Sequence, residues 1–224
     1  MMLLYQRKGE EMSNEEILEI IRGMDTSITQ DVSIVAEKLN EIQEKLKHEN
    51  LLFHATEIMN SRFILTSNGL RATRKNWAEY FIMQKKINEL TEKLLFKPNV
   101  LNSNKLGLLK YLYIKKAPMV FFSDNIDINI LESLCYFRNG ISKSFVIFLF
   151  DKEQIYPTKF YCYGDREGIL YYLSENENKS VFHFLNSIQA KVLRSEYVSL
   201  SDVPLSCLKY VITVGEDVKL YKIG

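Results

Sequence analysis

Apolar residues fall at Ile17, Ile21, Met24, Ile28, Val32, Val35, Leu39, Ile42 and Leu46. Steps of mostly four and three lay one apolar stripe along a helix. Ser13, with Glu16 three residues on, has the form of a capping box, in which serine and glutamate satisfy each other's free backbone N–H groups. The pattern predicts one helical stretch from 13 to about 49 with a break near Thr26. Glu37, Lys38, Glu41, Glu44 and Lys45 occupy its other faces. The stripe has two uses: it packs against the chain's own body, or it pairs with a second copy or a partner helix through residues 14–49.

After Asn50 the pattern changes. Leu51-Leu52-Phe53-His54-Ala55 reads as a strand, and 57–67 as a short helix ended by Asn68-Gly69. Asn76 can cap a second helix from Trp77 to about Leu95. A loop at 97–104 and a short helix near 105–114 follow. From Pro118 onward the pattern is mainly β. Strands are predicted at 119–122, 144–150, 159–163, 190–200 and 208–221, the last with a hairpin turn at Val214-Gly215-Glu216-Asp217. Helices are predicted near 127–137 and 178–187. Strands without regular βαβ alternation argue for an α+β fold.

Composition adds limits. With 46% hydrophobic and 12% aromatic residues, a sizeable core is available. Lys and Arg number 29 against 28 Asp and Glu, so no bulk charge favours nucleic acid. The local cluster Arg71-Ala72-Thr73-Arg74-Lys75 is a solvated loop or a phosphate contact. Cys135, Cys162 and Cys207 are far apart and read as free thiols in a reducing compartment. No apolar run approaches the roughly 18–20 residues that span a bilayer. The sequence therefore predicts a cytoplasmic protein without membrane contact. His48, His54 and His183 lack ligand spacing, so no metal site is expected. Lys105-Leu106-Gly107 lacks the flanks of a phosphate loop.

Three segments, in order, resemble the ADP-ribosyltransferase family, most closely the catalytic domain of the poly(ADP-ribose) polymerases. The first is Leu51-Leu52-Phe53-His54-Ala55-Thr56, then Asn60, Ile64-Leu65 and Gly69-Leu70-Arg71. It resembles the opening motif, in which a strand ends in histidine and small residues follow. The resemblance implies that His54 donates to the ribose hydroxyls of NAD while Ala55 and Thr56 let the backbone approach the nicotinamide. The second is Met119-Val120-Phe121-Phe122-Ser123-Asp124, with Asn129 beyond it. Phe121 falls where the family places a tyrosine that stacks on nicotinamide, and Asn129 lies near a serine that contacts its amide. The third is Ser195-Glu196-Tyr197-Val198, with Leu208-Lys209-Tyr210 after it. It resembles the strand of the catalytic glutamate. A carboxylate suits that place because cleaving the C–N glycosidic bond builds positive charge on the ribose.

The resemblance covers roughly residues 51–212. Alanine follows the histidine in place of glycine, and the second stacking tyrosine has no clear counterpart. His54-Ala55-Thr56 is also similar to the NAD motif of bacterial DNA-targeting ADP-ribosyltransferase toxins. In that alignment Lys191 stands where the toxins carry glutamate, and the domain is inactive.

The resemblance thus implies an α+β, ADP-ribosyltransferase-like fold of split antiparallel sheets with flanking helices over 50–224, preceded by a helical arm over 1–49. It implies transfer of ADP-ribose from NAD, the substrate, to a protein or nucleic-acid acceptor, as in a toxin or phage-defence factor. Glu196 and His54 would be catalytic. His54, Ala55, Thr56, Asn60, Arg71, Phe121, Ser123 and Asn129 would hold the dinucleotide. The alternative is an inactive fold acting as a binding or antitoxin module.

Overall fold

A computed structural model describes residues 11–72, 85–86, 88–90, 92–93, 120–126, 128–166, 170–175, 179–199 and 201–224. It is a mixture of helices and antiparallel sheets, as the pattern predicts. The helix predicted from Trp77 to Leu95 lies outside the described residues save for helical positions 85, 86, 88–90, 92 and 93. The loop at 97–104 and the helix at 105–114 lie wholly outside them. Among the described residues no helix is long and apolar enough to cross a membrane.

The chain forms two compact units. The first comprises 1–70, 123–155 and 203–224, and the second 71–122 and 156–202.

In the first unit, helix α1 (Asn14–Gly23) starts at the predicted capping box. The Ser13 backbone N–H donates to Glu16 Oε2 at 2.8 Å, and the Glu16 N–H donates to Ser13 Oγ at 3.3 Å. The backbone N–H and then the hydroxyl of Ser13, both donating to Glu16 Oε2, hold that carboxyl below its usual range. The predicted helical stretch to residue 49 breaks near Thr26 into two helices. Asp25 accepts from the N–H and hydroxyl of Ser27, closing a turn. Strand β1 (Thr29–Asp31) then pairs with residues 141–143. Asp31 caps helix α2 (Val32–Leu46) by accepting from the Ser33 N–H at 2.7 Å.

Strand β2 (Leu51–Thr56), helix α3 (Ile58–Thr66) and strand β3 (Gly69–Leu70) follow. Two guanidinium bonds from Arg62 on α3 reach the carbonyls of Ile21 and Arg22, both at 3.2 Å. They place a cation on the free carbonyls that end α1.

After strand β4 (Val120–Phe122), which belongs to the second unit, the chain returns to the first. Helix α4 (Ile128–Ser133) stops short of the predicted 137. Cys135 takes a left-handed φ of 61°, and strand β5 (Phe137–Arg138) begins. Asn139 and Gly140, with φ of 53° and 76°, turn the chain into strand β6 (Ile141–Lys143). Two consecutive positive φ values in Asn-Gly make the tight turn that suits hairpin twist. Strand β7 (Phe145–Asp151) and helix α5 (Lys152–Ile155) lead to the second unit.

In that unit lie strand β8 (Thr158–Gly164), strand β9 (Leu170–Ser174), helix α6 (Lys179–Ser187) and strand β10 (Lys191–Ser199). The first unit is completed by strand β11 (Val203–Pro204), which pairs with β3, and by the hairpin of β12 (Leu208–Val214) and β13 (Val218–Lys222).

The main sheet of the first unit has the order β13-β12-β7-β2, antiparallel throughout. Phe145 to Phe150 are all buried, as their unbroken apolar run predicts for a strand covered on both faces. Phe145, Ile147 and Leu149 pack with Val35, Leu39, Ile42 and Leu46 of α2. The helical stripe therefore packs against the chain's own body, and α2 shares a unit with β2 rather than forming a separate arm. Among the described residues of the second unit, the strands form an antiparallel sheet ordered β4-β10-β8-β9. Leu185 of α6 forms a small core there with Tyr163, Phe182, Ile188 and Ala190.

Two tyrosines of the first unit give it a measurable alkaline limit. Burial, and then the nearby Glu57 carboxylate, push Tyr136 up to about 12. Burial and a hydrogen bond donated to Glu49 push Tyr210 up to about 12. An unfolded tyrosine ionises near 10. Between pH 10 and 12 the unfolded chain loses phenolic protons that the folded chain keeps, so stability falls as pH rises. Below pH 10 both tyrosines contribute their full stability. Urea midpoints measured from pH 8 to 12 should fall above pH 10, and fall less in Tyr136→Phe. An equal fall in that variant would remove Tyr136 from the account.

Candidate functional site

Strand alternation sorts the residues of β2. Phe53 and Ala55 pack with the α2 core. Leu52, His54 and Thr56 take the other face. His54 is half-buried and lies opposite Phe148 of β7, while Thr56 is buried. Asn60, on α3, is exposed.

Ser123 exchanges backbone hydrogen bonds with Phe53, at 2.8 and 3.0 Å. Opposed residues of an antiparallel pair share a face. Ser123 is therefore on the α2 side, away from His54. Its hydroxyl donates to Asn125 Oδ1 at 2.9 Å, and the Ile126 N–H donates to Gln43 of α2 at 2.6 Å. Asn129 is exposed on α4.

The second unit holds the other candidates. Arg71 is exposed, and beside it the Ala72 N–H donates to Asp202 at 2.8 Å. Thr73, Arg74 and Lys75 lie outside the described residues. In the sheet, Phe121 of β4 is opposite Val198 of β10, and Glu196 is opposite Phe160 of β8. Phe121, Val198, Glu196, Phe160 and Thr158 thus stand on one face.

That face is closed at Val198 and Cys162, which are 1% and 4% exposed. Phe121 is 38% exposed, and Glu196, Phe160 and Thr158 are half-buried. Direct neighbours on such a face have Cβ atoms about 4.5–5.5 Å apart, and diagonal ones about 7–8 Å, within reach of aromatic rings. Glu196 has Phe160 as its direct neighbour and Phe121 as a diagonal one.

The opposite face carries Lys159, Tyr161 and Tyr197, with the Lys159 ammonium 5.4 Å and 5.0 Å from the two ring centres. Lys191, which replaces glutamate in the toxin-like alignment, is exposed at the start of β10.

The sequence-predicted set is thus divided. His54, Ala55, Thr56, Asn60, Ser123 and Asn129 belong to the first unit, and Arg71, Phe121 and Glu196 to the second. Strand register puts Phe121 and Glu196 on one face as diagonal neighbours. Phe160 was missed by sequence reasoning. Alternation within 159–163 puts it opposite in sense to Lys159 and Tyr161, but its pairing with Glu196 is a long-range register that no local pattern encodes.

Among the described residues no group of three or more His, Cys, Asp and Glu side chains is placed to hold a metal ion. No family model, curated protein or solved structure matches this chain.

Proposed function

We propose that the protein transfers ADP-ribose from NAD to a protein or nucleic-acid acceptor. The observation that carries this reading is the shared, partly open sheet face of Phe121 and Glu196. An aromatic ring beside a carboxylate suits the nicotinamide end of NAD. Phe121 stacks on the ring. The Glu196 carboxylate stabilises the positive charge that builds on the ribose as the C–N bond breaks and nicotinamide leaves. It also orients the attacking acceptor.

Incubation with NAD labelled in its ADP-ribose part, together with cell extract and nucleic acid, tests the reading. The expected result is label transfer and nicotinamide release. Glu196→Gln should lower the rate roughly 10²–10³-fold, the usual scale for removing a charge-stabilising group. A folded wild-type protein that neither binds NAD nor releases nicotinamide would overturn the proposal.

A further inference from the structure

We propose that Met59 is a reversible oxidation site, and that Arg62 binds its sulfoxide and so tightens the seat of α1 on α3. Every residue involved belongs to the first unit, and the inference stands apart from the transfer reading.

Met59 lies in the first turn of α3 and is 66% exposed, so its sulfur is open to small oxidants. Arg62 follows three residues on, on the same side of the helix. Its Nη1 donates to Met59 Sδ at 3.8 Å. Its Nη2 donates to the carbonyls of Ile21 and Arg22 in the last turn of α1. Its Nε is buried and, among the described residues, has no hydrogen-bond partner. One cation therefore joins an exposed thioether to the end of a second helix, with donor capacity to spare.

A thioether sulfur is a weak acceptor, and the Nη1 contact holds Arg62 loosely. Hydrogen peroxide changes that. A sulfur lone pair attacks one peroxide oxygen, the S–O bond forms and the O–O bond breaks. The departing hydroxide takes the proton from the transferred oxygen and leaves as water. Sulfur gives up two electrons, and the peroxide accepts them. The product carries a polar oxygen on Sδ, one bond nearer to Arg62. A charge-assisted hydrogen bond of about 2.7–2.9 Å can then replace the contact with sulfur, while Nη2 keeps its two carbonyls. With the guanidinium held at both ends, the last turn of α1 opens less often. Inside a core the same oxidation would disrupt packing, but Met59 has little packing to lose. Enzymatic reduction returns the sulfoxide to the thioether, which makes the mark reversible.

The test treats the full chain with hydrogen peroxide, locates the sulfoxide by peptide mass mapping and follows amide exchange over residues 21–24. Met59 should oxidise ahead of the half-buried Met12 and Met24. Its sulfoxide should slow that exchange by about three- to tenfold, the scale of one hydrogen bond to a charged group, discounted for exposure. A methionine sulfoxide reductase should restore the original rate. Met59→Gln, whose amide oxygen can accept from Arg62 without any oxidant, should reproduce the slowing. Met59→Leu and Arg62→Leu should show none after peroxide. Should Arg62→Leu fail to fold, Arg62→Lys keeps the charge but has a single ammonium that cannot serve both helices, and should give the same loss. Unchanged exchange with Met59 fully oxidised would overturn the inference. So would equal slowing in Met59→Leu or in a folded Arg62 variant, or oxidation of Met12 or Met24 ahead of Met59.

Discussion

Phe145→Ala is expected to destabilise the first unit by about 3–5 kcal/mol, the range for truncating a fully buried phenylalanine. Phe145 is 0% exposed. Its ring stacks on Tyr136, with centroids 4.7 Å apart and planes 13° apart, and meets the edge of Phe137 at 6.0 Å and 74°. Truncation removes transfer energy, two aromatic contacts and the support under the β5–β6 hairpin. It leaves a cavity that three rigid strands cannot easily close.

Domains are stable by only about 5–15 kcal/mol, so the loss is a large share of the whole. In urea, with a slope of roughly 2–3 kcal/mol per molar, the midpoint should fall by at least about 1 M. Met59→Ala is the control. That side chain, on α3 of the same unit, is 66% exposed, and its loss should stay within about 0.5 kcal/mol. Similar shifts for both variants would show that this cluster does not carry the unit's stability.

Gly69→Ala should be the second severe substitution, although it adds one methyl group. Gly69 has φ of +139°, which side chains rarely adopt. A Cβ there would stand 2.2 Å from the Val203 carbonyl oxygen and 3.0 Å from the Pro204 Cα. Both are backbone atoms of β11, so no side chain can swing aside. The pairing of Val203 with Leu70 and of Pro204 with Gly69 must open or shift.

Backbone strain alone costs about 1–3 kcal/mol, and the lost pairing adds to it. The total should reach about 3 kcal/mol. Gly23→Ala is the natural comparison. Nothing lies within 4 Å of its added Cβ, and it is the last residue of α1. Alanine there should be neutral or slightly stabilising. Thermal melts of the two variants should separate by several degrees. If they coincide, the close approach of β3 to β11 does not constrain the fold.

Legibility varied with the range of the forces involved. The capping box at Ser13 and Glu16, the end of α3 at Asn68-Gly69, and the hairpin at Gly215 are set by neighbours in sequence, and all were readable. Asn139-Gly140 carried an equally local signal for the β5–β6 hairpin. The helical pattern that precedes it hides that signal, and the predicted helix runs four residues past Ser133. Strand β1 was hidden inside an apolar stripe of helical period. Its strand character comes from pairing with β6, more than a hundred residues away.

The candidate site followed the same rule. His54, Phe121 and Glu196 were identifiable because each sits in a recognisable local string. Sequence order groups Ser123 with His54. The Phe53–Ser123 backbone pair instead turns it to the α2 side. One step along a strand reverses the face, so a site inferred from order alone is wrong by a face wherever register is unknown.

The α+β character, the buried β7, the amphipathic α2 and the start of α1 are legible in short stretches of the chain. Those follow from hydrophobic period and capping chemistry, which act over a few residues. Tertiary structure alone decided that the α2 stripe is consumed by the chain's own core, that the candidate residues divide between two units, and that Phe160 stands beside Glu196. The reason is physical. Burial and register are settled when distant segments compete for the same apolar face, and that competition leaves no trace in any short stretch of the chain.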